Sequence, residues 1–183
     1  MIIKDIFPNK IYLDTSIFIA EFDKKDSRHK ILTGFLKKIE KIKNTELCYS
    51  KWALTEMYNR LTKNQIEELK IVKYINELLN KKKIRGLDLR LLEVNSNKNY
   101  KFDDFFAHLT KDLIKYKTGR DRPGLGDIIH IRIMKNNKIN TILTFDSNFD
   151  KIDGITSFNL YKTNEGDINE TTNTNKQNWM ERS

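Results

Sequence analysis

Two short apolar runs in this chain each end in an aspartate: Ile11-Tyr12-Leu13 before Asp14, and Thr141-Ile142-Leu143-Thr144-Phe145 before Asp146. So brief a run without polar alternation reads as a strand buried on both faces, the kind found in parallel sheets. Leu47-Cys48-Tyr49 reads the same way, and residues 87–94 and 155–160 supply further strands. Between them the apolar period becomes helical. Over residues 27–43, Ile31, Leu32, Phe35, Leu36, Ile39 and Ile42 fall on one face. Ser50 is placed to cap a helix carrying Ala53, Leu54, Met57, Tyr58 and Leu61. Asn64 is expected to cap the next, with Glu67 and Glu68 in its first turn and Lys81, Lys82 and Lys83 at its end. Residues 95–99 form a loop, Asp103 or Asp104 opens a helix that closes at Gly119, and residues 119–126 form a glycine-rich loop. Asp127 then stands in the first turn of a helix running to about Asn136. Strands alternating with helices imply an α/β fold, a mostly parallel central sheet flanked by helices on both faces. Such sheets bind their ligands beyond the carboxyl ends of the strands, where Asp14 and Asp146 fall.

Of 183 residues, 38% are hydrophobic, enough for one domain with a substantial core. That domain is expected over residues 1–162. Residues 163–183 are mostly Asn, Thr, Glu and Lys and read as a disordered polar tail. No apolar run approaches the roughly 20 residues of a membrane-spanning helix, and Lys4, Asp5, Pro8 and Lys10 interrupt any signal-peptide pattern. Cys48 is the only cysteine, which excludes an internal disulfide and a cysteine metal cage. The expected location is therefore the cytoplasm, with no membrane partner. The net charge is +9 and the tail is slightly acidic, so the excess positive charge sits on the body. A basic body suits a polyanionic partner, nucleic acid ahead of membrane, although a lysine-rich proteome would give the same balance.

Four acids can reach one cleft: Asp14 and Asp146 at strand ends, Asp127 at a helix start, and Glu56 beside the apolar face of its helix. Each alone has a plain structural explanation. Asp14 can cap a helix starting near Ser16, Asp127 can satisfy a helix dipole, Asp146 can shape a turn, and Glu56 can face solvent. Together they would repel one another and raise one another's pKa values unless a cation joined them. Oxygen ligands without Cys or His favour Mg²⁺ or Mn²⁺ over zinc. An ion of that kind activates phosphodiesters and water.

These segments resemble the PIN-domain nucleases, a family that includes the toxin ribonucleases of bacterial and archaeal toxin–antitoxin pairs. Ile11-Tyr12-Leu13-Asp14-Thr15-Ser16-Ile17-Phe18-Ile19 resembles the family's opening strand with its first metal-binding aspartate. Ser50-Lys51-Trp52-Ala53-Leu54-Thr55-Glu56-Met57 resembles the second block, Gly124-Leu125-Gly126-Asp127-Ile128-Ile129-His130 the third, and residues 141–152 the fourth. The order matches the family's. The resemblance implies a PIN-like fold and a metal-dependent endoribonuclease that uses Mg²⁺ or Mn²⁺, either the toxin of a toxin–antitoxin pair or an RNA-processing nuclease. It carries the catalytic and metal-ligand roles onto Asp14, Glu56, Asp127 and Asp146. It also implies RNA as substrate, an antitoxin protein as partner if the chain is a toxin, and a homodimer. Two departures stand out. The stretch after Glu56 is long for the family and implies a helical insertion over about 63–86, and Asp150 is placed to share the role of Asp146.

Thr15, Ser16 and Thr144 carry hydroxyls able to orient a carboxylate, or simply to cap. Arg120 and Arg122, then Lys81, Lys82 and Lys83, are the candidate phosphate contacts, with Lys24, Lys25, Arg28, Lys30 and Arg85 behind them. His130, one turn after Asp127, reads as a packed helix histidine rather than a ligand or base, and Trp179 as part of the unstructured end. Three rival readings remain: a non-catalytic PIN-fold RNA-binding scaffold, a nuclease acting on DNA flaps, and an aspartyl-phosphate phosphotransferase using Asp14. Ser16 stands where the last class places a second aspartate, which weakens it.

Overall fold

Side-chain alternation turns the apolar runs into interior strands. In β1 (Lys10–Leu13), Ile11 and Leu13 enter one core and Tyr12 the other, and all three are buried. β2 (Glu46–Ser50) repeats this, with Leu47 and Tyr49 on the first side and Cys48 on the second. The structure, a computed structural model, describes residues 8–41, 45–84, 87–93, 102–116 and 123–162. The expectations for the 95–99 loop, for Arg85, Gly119, Arg120 and Arg122, and for the tail with Trp179 lie outside those residues.

Within them the chain runs through α1 (Thr15–Phe22), α2 (Ser27–Glu40), α3 (Lys51–Lys63), α4 (Glu68–Asn80), β3 (Lys83–Ile84), β4 (Leu87–Leu92), α5 (Phe102–Lys115), α6 (Leu125–Asn136), β5 (Thr141–Thr144) and β6 (Thr156–Asn159). The sheet order is β3-β4-β2-β1-β5-β6, and every neighbouring pair is parallel except β3 with β4. From β1 the chain builds outward through β2 and β4, then returns to lay β5 and β6 on the opposite side of β1. The order therefore reverses between β1 and β5, and the crevice at their carboxyl ends is where open α/β sheets bind ligands.

Helices cover both faces, as the sequence implies. Leu32, Phe35, Leu36 and Ile39 of α2, Met57 and Leu61 of α3 and Ile71 and Leu78 of α4 join Ile11 and Leu13 in one core, with Ile17 and Phe18 of α1. On the other face Ile131, Ile133 and Met134 of α6 pack with Tyr12, Cys48 and Ile142. Each of these fully buried aliphatic side chains contributes about 1.5–3 kcal/mol relative to exposure. α5 lies against α6 through Phe105, Leu109 and Ile128. The contact is fastened by Arg132, which donates to the Asp112 carboxylate and to the His108 carbonyl at 3.2 Å. That fastening fixes the helix from which Asp127 and His130 project.

Three boundaries differ from the sequence expectation. Asn64 does not cap the next helix but ends α3. Gln65 adopts φ 60°, its N–H donates to the Thr62 carbonyl at 2.9 Å, and the Ile66 N–H reaches the Leu61 carbonyl at 3.1 Å. This is a Schellman stop, which consumes carbonyls that α3 would otherwise leave unpaired. α4 instead starts at Glu68, and Glu67 makes no side-chain cap. α4 also ends at Asn80, so the lysines do not extend it: Lys83 opens β3 and pairs with Asp88 at 3.4 Å. Gly126 is the second residue of α6 rather than the end of a loop. Among the described residues no helix is long and apolar enough to cross a membrane.

Candidate functional site

The end of β1 is tied to the end of β5 by hydroxyls. The Asp14 N–H continues the ladder to the Leu143 carbonyl at 3.1 Å, and Asp14 then serves as N-cap of α1. Its Oδ2 accepts from Ser16 N at 3.3 Å, Ser16 Oγ at 2.6 Å and Thr144 Oγ1 at 2.8 Å. The capping explanation for Asp14 is thus correct, yet it occupies only one carboxylate oxygen. Ser16 Oγ also accepts the Phe145 N–H at 3.1 Å, and Thr144 Oγ1 accepts the Asp146 N–H at 2.8 Å. Asp146 in turn caps the 3-10 turn Ser147–Lys151 through the Asn148 N–H at 2.9 Å.

The other wall comes from helices. Glu56 lies in the second turn of α3, half-buried, and its Oε2 accepts from Thr15 Oγ1 at 2.7 Å. His130 Nε2 donates to the same oxygen at 2.8 Å and stands 3.7 Å from Asp14 Oδ1. Asp127, on the same face of α6 three residues earlier, accepts the Gly124 N–H at 2.8 Å and so closes the helix N-terminus. Gly126 faces Glu56 so closely that a Cβ there would stand 2.3 Å from Glu56 Oε1. The helix can approach Glu56 only because this residue has no side chain.

Three of the acids influence one another. Burial pushes the Asp127 pKa above its usual 3.8; the Gly124 N–H opposes this, while the charges of Asp146 and Asp14 add to the rise. Burial works in the same direction on Glu56, but hydrogen bonds from His130 and Thr15, with the charge of Arg60, hold its carboxyl below the usual range. The donor set is all carboxylate and hydroxyl oxygen, which fits a hard divalent cation. The arrangement is open: among the described residues no three Asp, Glu, His or Cys side chains already stand close enough to hold one ion.

Of the acids named from sequence, the fold links Asp14 and Glu56 through His130 and places Asp127 within the electrostatic reach of Asp14 and Asp146. Asp150 is instead engaged by Lys162, and it is Asp146 whose charge acts on Asp127. Lys81, Lys82 and Lys83 are not brought to the crevice. β3 pairs Lys83 with Asp88, near the amino end of β4, which is the opposite edge of the sheet. Sequence reasoning gave His130 a packing role, and it is buried as expected. What that reasoning missed is the contact with Glu56; the three-residue spacing from Asp127 was the available signal. Tyr12 and Ser50, read as core and cap, are both; Tyr12 also reaches His130 Nδ1 at 2.8 Å, and Ser50 Oγ reaches Tyr12 Oη at 2.6 Å.

The PIN domain family model matches residues 11–155. No curated protein matches the sequence. Among solved structures, VapC20 of Mycobacterium tuberculosis, described as a Sarcin-Ricin loop cleaving toxin, is similar at TM-score 0.53 and 18% identity over 76% of this chain and 92% of its own. A chain of VapBC2 from Rickettsia felis, bound to a DNA fragment from their promoter, gives TM-score 0.56 and 15% identity over 81% of this chain and 96% of its own. A chain of FitAcB from Neisseria gonorrhoeae gives 0.52 and 14% over 84% and 99%. At such identities the likeness is one of fold, and it agrees with the family match over the span that holds all four acids: this chain belongs to the PIN domain family.

Proposed function

We propose that this protein is a Mg²⁺- or Mn²⁺-dependent endoribonuclease acting as the toxin of a toxin–antitoxin pair. One feature supports the reading: beside the β1/β5 reversal, where Asp14 and Asp146 end adjacent strands, the charges of both add to the burial that raises the pKa of Asp127. Keeping like charges together is costly, and a hard cation among them removes that cost. When bound, such an ion supplies Lewis-acid activation of a phosphodiester and its attacking water. The protein's part is to position. Ser16 and Thr144 fix Asp14 through Oδ2, which leaves Oδ1 outside those hydrogen bonds. Asp146 joins Asp14 at the strand ends, and the helices α6 and α3 would supply Asp127 and Glu56.

The basic body supports nucleic acid as substrate, attracted by its phosphates. The description of VapC20 as a Sarcin-Ricin loop cleaving toxin in the same fold supports a toxin role; a small antitoxin protein as partner and a homodimer as the working form belong to the same proposal. Asp14→Asn tests the reading. Asn retains capping ability, so the variant should fold and bind RNA while Mn²⁺-dependent cleavage falls by more than about a hundredfold, beyond the loss expected for an outer-shell partner. Chelation should stop the wild type, and the products should carry 5′-phosphate and 3′-hydroxyl ends. Normal cleavage by the variant at matched Mn²⁺ rejects the mechanism, and preference for branched DNA over RNA in competition rejects the substrate.

A further inference from the structure

A chain of hydrogen bonds runs beneath the carboxylates and ends on Glu56. Ser50 Oγ accepts the Ala53 N–H at 3.2 Å and lies 2.6 Å from Tyr12 Oη. Tyr12 Oη lies 2.8 Å from His130 Nδ1, and His130 Nε2 lies 2.8 Å from Glu56 Oε2. Tyr12, Ser50 and His130 are buried, at 0%, 1% and 1% exposure, so water cannot substitute for any of these partners. An ionised carboxylate only accepts, hence His130 Nε2 must carry a proton towards Glu56. Nδ1 of a neutral ring is then an acceptor, matched by the Tyr12 hydroxyl, whose own oxygen accepts from Ser50. Every donor in the chain finds an acceptor in this one direction.

The result is a carboxylate with two unequal oxygens. Oε2 receives His130 Nε2–H and Thr15 Oγ1–H, whereas Oε1 faces the bare Cα of Gly126. We propose that His130 is the positioning residue for Glu56: held in its Nε2–H tautomer by Tyr12 and Ser50, it binds Oε2 and so presents Oε1 to the cation. The assignment rests on the nuclease reading for its use of the cation, but not for the orientation of Glu56. Ligand-orienting partners of this kind are worth about 10–100-fold in metal affinity.

Two substitutions separate donor from packing. Gln places an amide N–H the same number of bonds from Cβ as His Nε2, whereas Asn ends at the position of Nδ1 and cannot reach Glu56. In calorimetric titration with Mn²⁺, His130→Gln should stay within a few-fold of wild type, and His130→Asn should weaken binding by about 10–100-fold. Equal affinities in the two variants overturn the proposal. Nitrogen-15 NMR of the histidine side chains supplies a reading that needs neither metal nor altered protein. It should show His130 protonated at Nε2, and an unprotonated Nε2 overturns the proposal. If the wild type binds no Mn²⁺, the nuclease reading fails by itself, and the NMR spectrum still decides the orientation of Glu56.

Discussion

The two walls of the crevice are held by different means. On the strand-end wall, Asp14 and Asp146 leave the sheet from adjacent parallel strands, and Ser16 and Thr144 stitch those ends together within a few residues of each acid. On the helix wall, Glu56 and Asp127 come from α3 and α6; Asp127 is held locally by the Gly124 N–H, but the placement of Glu56 depends on side chains distant in sequence: Thr15, Tyr12 and His130. The first wall is set by sheet register, which admits no half-step. The second is set by packing and tautomer, which small volume changes can disturb. Losses on the strand-end wall should therefore remove chemistry, and losses on the helix wall should detune it.

The sharpest way to break this contrast is Asp146→Asn. Cleavage should fall by more than about a hundredfold, beyond an outer-shell loss, and the Asp127 pKa should move back towards 3.8 as one of its like-charged neighbours disappears. Carbon-13 NMR of the carboxyl groups measures the second effect. The sign for stability follows from the raised folded-state value. The folded protein holds the Asp127 proton more tightly than the unfolded chain, so this contribution is full below 3.8 and is lost as pH rises through the folded value. Cation binding has the opposite sense, because Asp127 must be ionised; cleavage should fade on acidification at a higher pH than an ordinary aspartate would give.

Gly126→Ala tests the helix wall with a single methyl group. Alanine inside a helix is favoured over glycine by roughly 0.5–1 kcal/mol, yet its Cβ at 2.3 Å from Glu56 Oε1 must displace a carboxylate pinned by two hydrogen bonds. Cleavage should drop by about 10–100-fold, and the melting temperature should fall modestly, because unpairing the buried His130 and Thr15 donors costs about 1–3 kcal/mol and outweighs the helix gain. Unchanged cleavage would show that Glu56 has no fixed role.

Ser16→Ala should act mainly on stability. It strands the Phe145 N–H and removes a donor from Asp14, costing about 1–3 kcal/mol in urea unfolding. The smallest effect is expected from Asp150→Asn, which gives up only the pairing with Lys162: within about 0.5 kcal/mol in stability, with cleavage intact. A large loss of cleavage there would move the fourth-acid role from Asp146 to Asp150.

Much of this arrangement was legible in the residues. The strands ending at Asp14 and Asp146, the Ser50 cap and the helix beginning beside Asp127 follow from local periodicity and capping chemistry, which act over a few residues. Asn64 misled because an asparagine between two helical stretches can end one as readily as start the other; the left-handed Gln65 decided it. The lysines at 81–83 misled because charge says nothing of which sheet edge a strand will occupy.

The sequence alone determined that apolar runs would be buried on both faces of a mostly parallel sheet, and that acids would stand where two of them end. Only the tertiary structure decided which of them meet. Reversal of strand order at β1 set Asp14 beside Asp146, and the docking of α6 brought His130 to Glu56 across 74 residues of chain. The reason is physical: periodicity reports what each residue must hide from water, whereas hydrogen bonds between distant side chains exist only after packing has fixed both ends.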